Sequence, residues 1–321
     1  MRIVFPDGAG CVHGPADLDP LRKIGTVDFY EGPPATRDEL IERLRPADAV
    51  ILDYSVMDAD VLRACERLRF ISFLGIGYAT YVDVAEATRR GIVVANTPDY
   101  GAISVAEHAL AMMLALTRHV AAAHVSMREG RWEPGRFLGM ELRGKTLGLV
   151  GLGPIGQEMA RLGAGIGMEL IGWTRRATPD RARHGLRLVP LEEVFSRADV
   201  VSLHLSYTDQ TAGLISRDLL GRMKKGAWFI NTARAQLVDN AALVEMLAAG
   251  RISGAALDVH EHEPPPADYA FHALPNVLLT PHIGYNTPEA GSNMLRIAIA
   301  TLEAWTRGER LHVVNPAVLR A

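Results

Sequence analysis

Three residues of this 321-residue chain carry the side chains needed to move a hydride to or from a carbonyl carbon. Arg234 stands in Asn231-Thr232-Ala233-Arg234, Glu263 in His262-Glu263-Pro264, and His282 in Thr280-Pro281-His282-Ile283-Gly284. Each comes after an apolar run, at 228–231, 254–259 and 277–280, of the length expected for a buried strand. Reduction of a ketone leaves an oxygen that needs a proton. Histidine titrates closest to neutrality, so it can donate in reduction and accept in oxidation. A carboxylate beside it fixes the tautomer. A guanidinium grips the carboxylate of a 2-oxo acid through two parallel hydrogen bonds and polarises its carbonyl. Taken singly, each residue is most simply structural or surface. At three successive strand ends they can converge, because ligands of open α/β sheets bind beyond the carboxyl ends of the strands.

The hydride carrier is legible in a second segment. Residues 146–150 (TLGLV) read as an apolar strand, Gly151-Leu152-Gly153-Pro154-Ile155-Gly156 follows, residues 157–163 begin a helix, and 170–173 form the next strand. A lone G-x-G-x-x-G is weak evidence, but here a whole strand–turn–helix–strand unit surrounds it. Gly151 permits the tight turn, Gly153 lets the backbone approach a pyrophosphate, and Gly156 allows close packing of helix on sheet. The helix N-terminus presents free N–H groups and the positive end of its dipole. Pro154 has no N–H, so the phosphates depend on Ile155 and its neighbours. An acidic residue about 20 positions on would bind the ribose 2′-hydroxyl of NAD. Thr174, Arg175 and Arg176 stand there instead. No carboxylate repels a 2′-phosphate, and two guanidiniums are placed to pair with one, so NADP(H) is expected over NAD(H).

The elements that must position these groups alternate along the chain. Strands are expected at 2–5, 49–53, 70–74 and 92–95, with helices at 37–45, 58–66 and 83–90 between them; this first α/β unit has no G-x-G-x-x-G. One apolar helix is expected over 104–120, then a polar connector over 128–144. Later strands at 146–150, 170–173, 200–205, 228–231, 254–259 and 277–280 alternate with helices, and a long helix over 288–307 leads to the end. The fold class is therefore α/β, with parallel, doubly wound sheets, and the length fits two domains. Hydrophobic residues are 48% and charged residues 22%, values of an ordinary globular protein. The formal charge of −3 leaves no basic field for nucleic acid or an anionic membrane. Residues 104–120 contain Glu107, His108, Arg118 and His119, which suits a buried or interface helix rather than a membrane span. Two cysteines, Cys11 and Cys65, exclude a disulfide framework and suit a reducing cytosol. His260 and His262 alternate with Glu261 and Glu263, but no third ligand has convincing spacing and no metal is expected.

With these motifs on the page, the chain resembles the D-isomer-specific 2-hydroxyacid dehydrogenases. The resemblance rests on GLGPIG (151–156), ADVVSLHL (198–205), NTARAQLVD (231–239), GAALDV (254–259), HEP (262–264) and TPHIG (280–284), and on the segments 73–98 and 103–118. It implies two Rossmann-like or flavodoxin-like domains: a discontinuous substrate domain of residues 1–98 plus 286–321, and an NAD(P)-binding Rossmann domain of 99–285, with the active site in the cleft between them. It implies His282 as acid/base, Glu263 as its partner and Arg234 as substrate anchor. Gly75, Ile76 and Gly77 would offer backbone N–H groups to the substrate carboxylate. Asp258 would accept from the nicotinamide amide, Thr232, Ala233 and Leu205 would meet the cofactor through their backbone, and Gly284 would border it. A homodimer through residues 102–125 is also implied. Three sites depart from the family pattern: Thr174-Arg175-Arg176 replaces the common acidic end, Pro154 replaces a common basic residue, and Ala235-Gln236 stands where glycine is common; Glu263 is present where the formate dehydrogenases that resemble the family carry glutamine, which argues against formate as substrate. The expected reaction is NAD(P)H-dependent reduction of a small 2-oxo acid, glyoxylate or hydroxypyruvate, to the D-2-hydroxy acid. The alternatives are an NAD-dependent 3-phosphoglycerate dehydrogenase lacking the regulatory domain of longer members, and a dinucleotide-sensing, corepressor-like binding protein.

Overall fold

The computed structural model describes residues 1–8 and 10–320; Ala9 and Ala321, both within the expected substrate domain, lie outside the described residues. The chain divides into two compact units, Met1–Gly101 with Asn286–Ala321, and Ala102–Tyr285. Each is built around one fully parallel sheet, as the alternation of apolar runs and helices requires.

The first unit contains β1 (Arg2–Phe5), β2 (Thr26–Phe29), β3 (Ala49–Leu52), β4 (Phe70–Phe73) and β5 (Val93–Asn96), in the order β2-β1-β3-β4-β5. β3 and β4 are buried along their whole length, the condition of parallel strands covered on both faces. β2 has no counterpart among the expected strands. It is a half-exposed edge strand whose Asp28 interrupts the apolar run, so no periodicity marks it. Asp7, just after β1, is buried, and its carboxylate accepts the N–H groups of Asp53, Tyr54 and Ser55 at 2.5 to 3.1 Å. It thereby fixes the turn that leaves β3.

The C-terminal segment belongs to this unit for identifiable reasons. The helix Pro288–Thr306 lays Trp305 on Phe70 of β4, with ring centroids 5.0 Å apart. Beyond it, the buried Asn315 amide accepts from Val94 N–H at 2.8 Å and donates to Ile92 C=O at 2.9 Å and Thr88 Oγ1 at 3.0 Å. One side chain satisfies backbone groups of β5 that the sheet leaves open.

The second unit contains β6 (Thr146–Val150), β7 (Glu169–Trp173), β8 (Arg187–Leu188), β9 (Val200–Leu203), β10 (Trp228–Asn231), β11 (Gly254–Leu257) and β12 (Val277–Leu279). Their order is β12-β11-β10-β9-β6-β7-β8. The chain builds outwards from β6 in one direction and then, from β9, in the other, so the crevice at the carboxyl ends of β6 and β9 is the natural ligand position. The expected single helix over 104–120 is two helices, Ala102–Thr117 and Val120–Arg128, bent by 61° at a break where His119 takes φ 55°. Apolar periodicity runs across the break and so gave no sign of it. Among the described residues no single helix is long and apolar enough to cross a membrane.

Replacing Asn315 with Ala leaves a buried donor and a buried acceptor of β5 unpaired. The expected loss is about 2 kcal/mol or more, read from the shift in the urea midpoint at unchanged slope.

Candidate active site

The glycine turn follows β6 and opens the helix Pro154–Gly165. Its three glycines answer different demands. Gly151 takes φ 101°, and a Cβ there would lie 2.5 Å from the His204 carbonyl oxygen, so only glycine lets the turn pass the end of β9. Its N–H donates to Trp173 C=O at 2.8 Å, which ties the turn to β7. At Gly156 a Cβ would lie 2.1 Å from the Gly151 carbonyl oxygen. Gly156 therefore packs on the turn itself rather than on the sheet. Gly153 has an ordinary φ of −71°, and a Cβ there would meet nothing within 4 Å among the described residues. Neither its backbone conformation nor its packing calls for glycine. The space in front of it is open. Pro154 occupies the first helical position, where no N–H is missed within the helix. Arg181, which no motif singles out, donates from Nη1 to the Leu152 carbonyl at 2.7 Å and so clasps the same turn.

Beyond β7, Thr174 is half-buried, and Arg175 and Arg176 are exposed; Arg175 Nη1 donates to Gln210 Oε1 at 2.6 Å. After β10, Thr232 is buried and its hydroxyl has no partner among the described residues. The Ala233 backbone, an expected cofactor contact, is engaged within its own loop. Ala233 N–H already donates to Asn231 Oδ1 at 3.0 Å, and its carbonyl accepts from Arg234 Nη1 at 2.6 Å. At this strand end the free polar group is the Thr232 hydroxyl. Leu205 is half-buried just past β9, beside Gly151. His204, its neighbour, is buried under the turn. Burial pushes its imidazole down to about 4, so it is neutral, and its Nδ1 is unpartnered while Nε2 meets Ser202 Oγ at 3.0 Å.

Three adjacent strand ends carry the other groups. In the register of β10, β11 and β12, Asn231 pairs with Leu257 and Leu257 with Leu279. Residues 232, 258 and 280 therefore stand in one row at the carboxyl edge. His282 and Glu263 come together: the Glu263 carboxylate accepts from His282 Nδ1 at 2.7 Å, and its other oxygen accepts His260 N–H at 3.0 Å. His282 takes φ 54°, a left-handed conformation that costs a non-glycine residue and needs support. The support is Asp258. Its carboxylate is 1% exposed and accepts from Thr280 Oγ1 at 2.6 Å, Ile283 N–H at 2.9 Å and Gly284 N–H at 2.8 Å, with His108 Nε2 at 3.4 Å. Burial alone would raise its carboxyl. The hydrogen bonds from His108, Thr280, Ile283 and Gly284 outweigh burial and hold it below its ordinary value.

Two residues expected at the cofactor also bond within the fold. Asp258 and Gly284 bond to each other, and a Cβ at Gly284 would lie 3.0 Å from Asp258 Oδ2 and 3.3 Å from the His108 ring. His108, on the helix Ala102–Thr117, has no signal in the sequence, where it reads as one polar residue on an apolar helix. His260 is buried and held by the Thr280 carbonyl at 3.0 Å. Arg234 is half-buried at the end of β10 and folds its Nη1 back onto its own loop.

In the first unit, Gly75 takes φ 135° after β4. Its N–H donates to Thr97 Oγ1 at 2.7 Å and is not available to a substrate, which corrects that part of the expectation. The N–H groups of Ile76 and Gly77 have no acceptor among the described residues.

Residues 110–284 match the family described as D-isomer specific 2-hydroxyacid dehydrogenase, NAD binding domain. The chain belongs to that family. It is 39% identical over 297 residues to the glyoxylate reductase of Korarchaeum cryptofilum, covering 90% of this chain and 89% of the relative. It is also 39% identical over 280 residues to the D-3-phosphoglycerate dehydrogenase of Archaeoglobus fulgidus, covering 86% of this chain and 53% of the relative. The chain therefore spans about half the length of the curated phosphoglycerate dehydrogenases it matches. Among solved structures, a glyoxylate reductase from Paecilomyes thermophila superposes with a TM-score of 0.84 at 29% identity, covering 98% of both chains. An acyclic imino acid reductase in complex with NADPH and D-Arg superposes with a TM-score of 0.86 at 28% identity, covering 98% of this chain and all of the other.

As a member of this family the chain has an NAD-binding domain, and its residues fit a nicotinamide dinucleotide. The room in front of Gly153 and the orphaned Thr232 hydroxyl are each explained by a ligand lying across the turn. Gly153→Ala is expected to keep the wild-type melting temperature and to weaken NADPH binding at least tenfold. Gly156→Ala, which drives a Cβ into the Gly151 carbonyl, is expected to lose the fold. Thermal unfolding beside fluorescence titration with NADPH distinguishes the two.

Proposed function

We propose that the protein reduces a small 2-oxo acid of the glyoxylate or hydroxypyruvate type to the D-2-hydroxy acid, with NADPH preferred to NADH. The observation that carries the reading is the His282–Glu263 hydrogen bond of 2.7 Å, on the same sheet edge as the glycine turn. The reduced nicotinamide supplies the hydride. Glu263 takes Nδ1–H, which leaves Nε2 of His282 as the nitrogen that gives a proton to the carbonyl oxygen in reduction and takes it back in oxidation. Asp258, through Ile283 and Gly284, holds that imidazole in its left-handed turn. Arg234 swings from its loop carbonyl to the substrate carboxylate, a charge-assisted exchange that favours the anion. Ile76 and Gly77 supply further N–H donors, and the first unit is read as the substrate domain.

The cofactor preference rests on Thr174, Arg175 and Arg176, where no carboxylate opposes a 2′-phosphate. A homodimer is supported by Val120, Val125 and Met127 on the helix Val120–Arg128 and by Trp132 and Leu138 beyond it, all more than half exposed and the last two 78% and 88%. An apolar surface of this kind is commonly covered by a partner. A reducing cytosol is proposed on the two free, buried thiols.

His282→Ala is expected to lower kcat for glyoxylate reduction by about 10²–10⁴-fold, the usual worth of a positioned general acid, with NADPH affinity retained. Wild-type turnover in that variant would remove the mechanism. Exchange of Arg175 and Arg176 for Glu is expected to invert the ratio of kcat/KM for NADPH over NADH. An unchanged ratio would place the selectivity elsewhere.

A further inference from the structure

The crevice at the switch point of the first unit holds a buried carboxyl that its fold does not use. β1 and β3 are neighbours in the order β2-β1-β3-β4-β5, and the chain reverses its building direction between them. Asp7 and Asp53 lie just beyond their carboxyl ends. Asp7 is fully engaged, accepting three backbone N–H groups. Asp53 is 8% exposed, yet its carboxyl has no hydrogen-bond or ion-pair partner among the described residues. Burial, and then the charge of Asp7, push it up to about 7. Two residues on, the Ser55 hydroxyl is also 92% buried and unpartnered, an independent orphan in the same turn. A structural role would give such groups partners. The unsatisfied Ser55 hydroxyl costs stability that a ligand would restore, and the Asp53 carboxyl beside it is left free to accept.

The register shows what lies alongside. Leu52 pairs with Phe73, and Leu74 N–H donates to the Leu52 carbonyl at 2.8 Å. Asp53 therefore borders Leu74 and the turn of Gly75, Ile76 and Gly77, whose last two N–H groups are open. A row of donors for an anion stands beside a carboxyl that repels one. The Cys11 thiol, pushed up to about 12 first by burial and then by Asp53, Asp7 and Asp17, is another titratable group there. Arg43 Nη1 donates to the Pro6 carbonyl, but among the described residues no cation pairs with Asp7 or Asp53.

We propose that Asp53 determines substrate specificity: it accepts a hydrogen bond from a hydroxyl or amino group at the far end of a 2-oxo acid whose carboxylate lies on the Ile76 and Gly77 N–H groups, and it rejects an acid phosphorylated at that end. This rests on the reading of the first unit as the substrate domain. It selects hydroxypyruvate over glyoxylate and excludes phosphohydroxypyruvate, the 2-oxo acid that corresponds to 3-phosphoglycerate. The negative pair that repels a phosphate is the same pair that receives a donor.

The test is kcat/KM with NADPH for glyoxylate, hydroxypyruvate and phosphohydroxypyruvate, in the full chain and in Asp53→Asn and Asp53→Leu. In the wild type, hydroxypyruvate is expected to exceed phosphohydroxypyruvate by about 100-fold or more, the scale of a like-charge mismatch in a buried site. In Asp53→Leu the ratio of hydroxypyruvate to glyoxylate falls about tenfold, the worth of one buried hydrogen bond. In Asp53→Asn the discrimination against phosphohydroxypyruvate narrows at least tenfold. Both variants are expected to melt no lower than the wild type, because the carboxyl they replace has no partner; if the leucine variant does not fold, the asparagine ratio decides. Substrate ratios within twofold of wild type in both variants overturn the assignment of Asp53 while leaving the reductase reading intact. A wild type that turns over none of the three acids with either cofactor overturns both.

Discussion

The carboxylate of Asp258 is the interaction on which the second unit's chemistry depends. It sits at the end of β11, takes donors from Thr280, Ile283 and Gly284, and is backed by His108. Those bonds span the residues on either side of His282, which is why a histidine can hold a left-handed backbone conformation at a strand end. Were the turn free to relax, Nδ1 would leave Glu263 and the ring would lose its orientation. A buried charge satisfied by four groups is rigid, and the rigidity passes to the imidazole it never touches.

The opposite condition marks where ligands belong. Among the described residues, three polar atoms are buried and unsatisfied just past the carboxyl ends of strands: the Thr232 hydroxyl after β10, His204 Nδ1 after β9, and the Ser55 hydroxyl after β3. Folding normally eliminates such atoms because each one costs free energy. These three contrast with Asp7, Asp258 and Asn315, whose polar atoms are occupied and serve the fold. The distinction between holding and waiting is made by partners, not by residue type.

Both units repeat one economy of construction. A parallel sheet needs apolar residues along the strands and leaves its chemistry to the few positions past each strand end. The row of residues 232, 258 and 280 in one unit and of 7, 53 and 74 in the other shows how short that allowance is. Within it, neighbouring residues have unlike tasks: Thr232 is open while Ala233 is tied down, and Ile76 is open while Gly75 is tied down.

Much of this was readable without coordinates. The glycine turn, the parallel α/β class and the strand-end positions of Arg234, Glu263 and His282 follow from local spacing, because strand and turn chemistry is written in runs of four to eight residues, and the family was legible as a resemblance carried by those motifs. The edge strand β2 was invisible, since Asp28 breaks its apolar run, and so was the bend at His119, since apolar residues continue on both sides of it. Nor could spacing reveal His108, 150 residues from the Asp258 it backs, or that Asp258, Gly284, Ala233 and Gly75 spend their hydrogen bonds within the fold. Which donors are already taken depends on groups brought together from distant parts of the chain, and only packing in three dimensions settles that.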